Sequence, residues 1–131
     1  MKHNIKGIHH IAIIASDIVQ AKWFYIDILG GECIAENFRT DRQSWKVDIR
    51  LGGTQIELFT FPDAGSRPSR PEARGLRHLA FSVTDVDRVQ KQLHEHGITT
   101  EEIRIDPYTG QRFFFAADPD DLPIEFYEIT S

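Results

Sequence analysis

At 131 residues, with 40% apolar and 27% charged side chains, the chain is large enough for one ordinary core and too apolar for a disordered segment. A net charge of −5 and no basic run weigh against nucleic acid as a partner. The single cysteine, Cys33, excludes an intrachain disulfide framework and a cysteine-type zinc site, and reads as a small buried hydrophobe.

The N-terminal MKHNIKG lacks the apolar core of a signal peptide, and no run reaches the roughly 18 apolar residues of a membrane span. A soluble, cytoplasmic protein with no membrane partner is expected. The run GIHHIAII predicts a strand over 7–14. Ile18, Ala21, Phe24, Tyr25, Ile28 and Leu29 then recur at helical spacing, predicting a helix over 17–29 that Gly30 and Gly31 stop. Strands follow at 32–40, 45–51 and 55–61, the last two joined as a hairpin by Gly52 and Gly53. Residues 62–74 have the Pro, Gly and Arg content of a linker. Its Arg67, Arg70 and Arg74 are expected in solvent, with Arg70 alone placed to reach the site or a second subunit. A strand over 76–83 leads to a helix that opens on Thr84 and Asp87 as a capping box. That helix buries Val86, Val89 and Leu93 and ends at Gly97. Strands at 98–105, 111–117 and 123–129 complete the chain, with DPDDLP as the last turn.

The two halves repeat. GIHHIAI is echoed by GLRHLAF and QIELFTF by PIEFYEI, and His10 and His78, Asp17 and Asp85, and Glu57 and Glu125 all stand 68 residues apart. The register slips to 67 between Gly30 and Gly97 and is regained by the final segment. The expected architecture is therefore α+β: two tandem βαβββ modules, 5–61 and 75–129, within a single domain, forming a curved, barrel-like mixed sheet with helices on the convex side.

Strand alternation then separates the polar residues. His10 shares a face with Ile8 and Ala12, His78 with Ala80, and both point away from the bulkier apolar set, to the concave side. His9 shares its face with Ile11 and Ile13, is matched by Arg77 in the second copy, and reads as structural. Glu57 and Glu125 interrupt apolar strands on the histidine side, where an unpaired carboxylate is costly. Two imidazoles and two carboxylates suit a divalent ion such as Zn, Ni, Co, Mn or Fe(II), and would leave two neighbouring octahedral positions for a substrate with adjacent oxygens. Lys46, Asp48 and Arg50 are predicted on the concave side, with Val47, Ile49 and Leu51 toward the helix. Arg112 and Phe114 are assigned to that concave side as well, with Phe113 and Phe115 behind. Lys46, Arg50 and Arg112 would hold a substrate carboxylate or phosphate, and Phe114 and Tyr127 would touch the substrate. Trp45 and Tyr108 suit either a pocket rim or core packing, with packing preferred, and His3, His94 and His96 read as surface residues.

These motifs resemble the vicinal oxygen chelate superfamily, which includes glyoxalase I. FYIDILGG is similar to its first-helix signature and DPDDLPIEFYE to its closing motif, while SRPEARGLRHLAFSV with DPYTGQRFFF resembles the short bacterial glyoxalase-related proteins of the YaeR type. The resemblance implies one divalent metal, Zn or Ni first, on His10, Glu57, His78 and Glu125. It implies a homodimer, and an isomerase or lyase acting on a small 2-oxo compound or its thiol adduct through a metal-bound enediolate. Glu125 would be the catalytic base, with Glu57 its symmetric alternative. An Fe(II) extradiol-type dioxygenase and a non-catalytic small-molecule-binding protein are the alternatives. One departure is Asp121, where the family commonly has glycine.

Overall fold

In each half of the repeat the first strand lies parallel to the last. A computed structural model, which describes residues 4–130, divides the chain after Gly65 into two units. Unit one runs β1 (Ile11–Ile14), α1 (Ile18–Lys22), β2 (Glu32–Arg39), β3 (Ser44–Leu51) and β4 (Thr54–Phe59). Its open sheet has the order β1-β4-β3-β2, with β1 parallel to β4 and the other pairs antiparallel. Unit two repeats the plan with β5 (Leu79–Val83), α2 (Val86–Glu95), β6 (Arg104–Ile105), β7 (Arg112–Ala117) and β8 (Pro123–Glu128), in the order β5-β8-β7-β6. The α+β class and the two βαβββ modules are thus present, each as an open four-stranded sheet.

The predicted apolar stripes supply the core, except that Ile18, Leu29 and Val89 are half-buried. Ala21, Phe24, Tyr25 and Ile28 are buried in unit one beside Val47, Ile49, Ile56 and Leu58. In unit two, Val86 and Leu93 are buried with Phe114, Ile124 and Phe126. Burying each large side chain contributes about 1.5–3 kcal/mol. The Asp17 carboxylate caps α1 by accepting from the N–H groups of Val19 (2.8 Å) and Gln20 (3.2 Å). Beyond Lys22 the helix widens into a π turn over Trp23–Ile28, and the Leu29 N–H donates to Phe24 O, five residues back. At Gly31 a side chain has no room: a Cβ there would lie 2.7 Å from the Tyr25 carbonyl oxygen and 2.6 Å from Ile49 Cγ2.

Several expectations change. The first strands begin at Ile11 and Leu79 rather than at 7 and 76, where their parallel pairing with Ile56 and Ile124 begins. The helix cap in unit two is Asp85, which accepts from Arg88 N–H at 3.1 Å, not Thr84. The strand expected over 98–105 shrinks to Arg104–Ile105. Upstream, the Gln90 amide donates to Thr100 Oγ1 and Glu101 O, and the Glu101 carboxylate accepts from Phe115 N–H, so side-chain contacts stand beside the backbone bond from Glu101 N–H to Phe115 O. Cys33 is exposed, since it sits on edge strand β2 beside a bulge. Trp45 packs edge-on against Phe38, but Tyr108 is 94% exposed in the turn before β7. His94 and His96 are exposed as expected, and His3 lies outside the described residues.

The segment read as a linker is partly built into unit two. Ser69 Oγ donates to Asp121 O at 2.8 Å, Arg70 pairs with the Asp121 carboxylate at 3.1 Å, and Arg67 Nη2 donates to Leu76 O at 2.8 Å and Arg77 O at 3.2 Å. Asp121 has φ +65°, a left-handed conformation that favours glycine and that aspartate tolerates. The buried Asp118 carboxylate fastens the same turn by accepting from Asp120 and Leu122 N–H, both at 2.9 Å. Asp121→Gly should unfold within about 0.5 kcal/mol of the parent, whereas Asp121→Val should lose about 1–2 kcal/mol because a β-branched residue is poorly accommodated at positive φ. Urea unfolding of both variants checks this.

Candidate functional site

Each site face follows from strand register. In unit one, Ala12, Glu57 and Asp48 are direct cross-strand neighbours, and all three lie opposite the core positions Ile13, Leu58 and Ile49. His10, one residue before β1, places Nε2 3.6 Å from Glu57 Oε1. Glu57 is only 8% exposed and is held by further groups: Gln55 Nε2–H donates to Oε2 at 3.0 Å, and Lys46 Nζ lies 3.7 Å from Oε1. Lys46 also donates to Asp48 Oδ1 at 2.7 Å. That hydrogen bond, aided by the charges of Asp48 and Glu57 and opposed by desolvation, raises the Lys46 pKa above its ordinary 10.5. Arg50 is exposed on the same strand side, opposite Gln55.

Unit two repeats the pair. Ala80, Glu125 and Phe115 form the cross-strand row, and His78 Nε2 stands 3.2 Å from Glu125 Oε1. The surroundings differ, however. Phe115 meets the His78 ring edge-on with centroids 4.9 Å apart, and Phe113 stacks on Tyr127 at 6.0 Å. Tyr127 lies on the Glu125 side as predicted, with its hydroxyl donating to Asp106 Oδ2 at 2.8 Å and touching Thr109. Its pKa is raised: the Thr109 contact works downward but is outweighed by desolvation and the hydrogen bond and charge of Asp106. Asp106 is held low by the Tyr108 backbone N–H and then by the Tyr127 hydroxyl.

Two predicted pocket residues sit elsewhere. Phe114 is fully buried on the helix side and stacks on Phe126 at 5.1 Å, so β7 presents Phe113 and Phe115, not Phe114, to the histidine side. Arg112 shares the Phe114 side: its guanidinium contacts Asp87 on α2 and lies 3.4 Å from Glu128, which in turn accepts from Val86 N–H at the start of α2. It is committed to that helix. The residues missed were Gln55, Phe115 and the pair preceding the histidines. His9 Nδ1 lies 2.9 Å from His10 Nδ1, and Arg77 Nη1 lies 3.2 Å from His78 Nδ1. The matching of His9 with Arg77 in the repeat was the available signal. Within neither unit, among the described residues, do three or more His, Cys, Asp or Glu side chains gather around one metal position. No described helix is long and apolar enough to cross a membrane.

The family model described as the Glyoxalase/Bleomycin resistance protein/Dioxygenase superfamily matches residues 7–126. YwkD of Bacillus subtilis (strain 168) and YaeR of Escherichia coli (strain K12) are each 55% identical over 125 residues, covering 95% of this chain and 98% and 97% of theirs. The crystal structure of a glyoxalase family protein from Enterococcus faecalis is 46% identical, with a TM-score of 0.87 over 94% of this chain and 98% of its own. The fold is also that of the fosfomycin resistance protein FosX from Listeria monocytogenes, crystallised as a mutant with Mn(II) and a dihydroxypropylphosphonic acid. It is 22% identical, with a TM-score of 0.75 over 96% of this chain and 92% of its own.

The raised Lys46 pKa has a sign. A group whose folded pKa exceeds its unfolded value lends stability below the unfolded value of 10.5 and loses it as pH rises through the folded one. The difference in urea midpoint between the parent and Lys46→Met should therefore be flat through neutral pH and shrink only above about pH 10.5.

Proposed function

The chain belongs to the Glyoxalase/Bleomycin resistance protein/Dioxygenase superfamily, and from that membership we propose a divalent-metal-dependent isomerase or lyase of glyoxalase type, acting on a small 2-oxo compound or its thiol adduct. The observation that supports it is the twice-repeated pairing of one imidazole Nε2 with one carboxylate on the sheet face opposite the helix, at 3.6 Å for His10–Glu57 and 3.2 Å for His78–Glu125. The donor set fits such an ion: two neutral imidazoles and two carboxylates, with borderline-to-hard donors and two negative charges. His10, Glu57, His78 and Glu125 would hold it. When bound, a divalent ion supplies the positive charge that draws two vicinal substrate oxygens and acidifies the neighbouring C–H.

The remaining work falls to side chains of this chain. Glu57 is held by Gln55 and Lys46 as well as faced by His10, which suits it to a fixed role. Glu125 has His78 as its polar partner within its unit, so one carboxylate oxygen is free to take the proton from carbon and return it to the adjacent carbon. Phe115 and Phe113 give that carboxylate an apolar margin that limits water. Tyr127 would meet the substrate from the Glu125 side, and Arg50 and Lys46 would attract an anionic one. A homodimer in the cytoplasm belongs to the same reading.

Metal analysis of protein purified without chelators should give one divalent ion per site. Glu125→Gln should keep the metal while losing about 10²–10⁴-fold in turnover of a methylglyoxal–thiol adduct. A metal-free protein, or full activity in that variant, overturns the proposal. In the same binding assay His10→Ala should abolish metal binding and His9→Ala should not.

A further inference from the structure

The Arg-rich segment before β5 borders a half-open cavity that the proposed reaction does not use. It has a volume of about 240 Å³, lies wholly in unit two, and is lined by Arg67, Ser69, Glu72, Arg74, Leu76 and Arg77 among others. Three guanidinium groups against the one carboxylate of Glu72 leave it with two net positive charges. The arginines are not equivalent. Arg77 is committed, with Nε 2.5 Å and Nη2 3.2 Å from the two Glu72 oxygens. Arg67 is fixed in place by the Leu76 and Arg77 carbonyls that its Nη2 serves, yet its Nε–H is buried without an acceptor. Arg74 makes no hydrogen bond or ion pair among the described residues and is exposed.

A buried N–H with no acceptor calls for a missing partner. A fixed guanidinium, an uncommitted second one and a double positive charge match a tetrahedral dianion better than a single carboxylate, because guanidinium forks bind phosphate oxygens directionally. We infer that this cavity is a phosphate-binding site, taking the phosphate group of a small phosphorylated ligand on Arg67 and Arg74. Arg77 joins the site to the candidate catalytic pair, since the same guanidinium lies against His78 Nδ1. A ligand anchored by its phosphate is thereby held next to the His78–Glu125 pair. The inference stands without the metal reading, since neither arginine belongs to that donor set.

Inorganic phosphate titrated into the full chain, with and without a chelator, tests it, with the arginine Nε–H resonances followed by NMR and binding by calorimetry. Saturable one-site binding is expected in both conditions, with the Arg67 Nε–H moving most. Arg67→Lys should weaken binding at least fivefold and Arg74→Gln at least threefold, while Arg88→Gln on α2 should leave it unchanged. Because Arg67 also fastens the loop, Arg74→Gln carries the test if Arg67→Lys fails to fold. A non-saturating response, a response that disappears with the chelator, an equal loss in Arg88→Gln, or acetate binding as tightly as phosphate would each overturn the assignment.

Discussion

Everything at the candidate site depends on the parallel pairing of the first and last strands of each unit. β1 would be a short, edge-like segment by itself; against β4 it aligns Ala12 with Glu57, and against β8 its counterpart β5 aligns Ala80 with Glu125. That register carries His10 and His78, two residues before those alanines, to within reach of the carboxylates. A slip of one residue would send each histidine to the helix side, because side-chain direction reverses at every step. The buried Ile13, Ile56 and Leu58 rows resist such a slip, as moving them would expose the core. Hydrophobic register thus positions the polar chemistry.

Around this shared frame the two units have become chemically unlike. In unit one the carboxylate lies in a polar row with Lys46, Asp48 and Gln55, of which Lys46 and Gln55 contact it and fix its orientation. In unit two the equivalent strand offers Phe113 and Phe115, and Phe115 is the cross-strand neighbour of the carboxylate residue and meets the His78 ring edge-on. One side of the duplication is suited to holding charge in place, the other to shaping an apolar margin beside a proton acceptor. The pairs His9–His10 and Arg77–His78 continue the contrast: an imidazole can donate or accept toward its neighbour, whereas a guanidinium can only donate.

Much of this was legible in the sequence because of the repeat. Glu57 and Glu125 stood out as charges inside apolar strands, and the alternation of Val47 and Ile49 with Lys46 and Asp48 gave β3 its correct facing. In β7 alternation is silent: three consecutive phenylalanines satisfy either face. The information lay in the slipped register. Phe115 follows Asp48 by 67 residues, the spacing that separates Gly30 from Gly97, and the lost residue is recovered only in the DPDDLP turn. Carried through β7, that slip aligns Phe114 with the core residue Val47 and Phe115 with Asp48. Arg112 could not be placed from its own strand, since Asp87 comes to it from α2. Nor did a Pro- and Arg-rich composition reveal that residues 67–70 bond back onto Leu76, Arg77 and Asp121.

The strand order also governs when the pairs come into being. The hairpin of β3 and β4 closes over a two-glycine turn, so its loop entropy is small. The pairing of Ile11 with Ile56 closes a segment of 45 residues, for which the length-dependent cost is about 3 kcal/mol. Such non-local contacts raise contact order, and that slows folding. Each histidine reaches its carboxylate only through this costliest closure. Anything that loosens β1 or β5 therefore separates the pair while the hairpin beneath it survives.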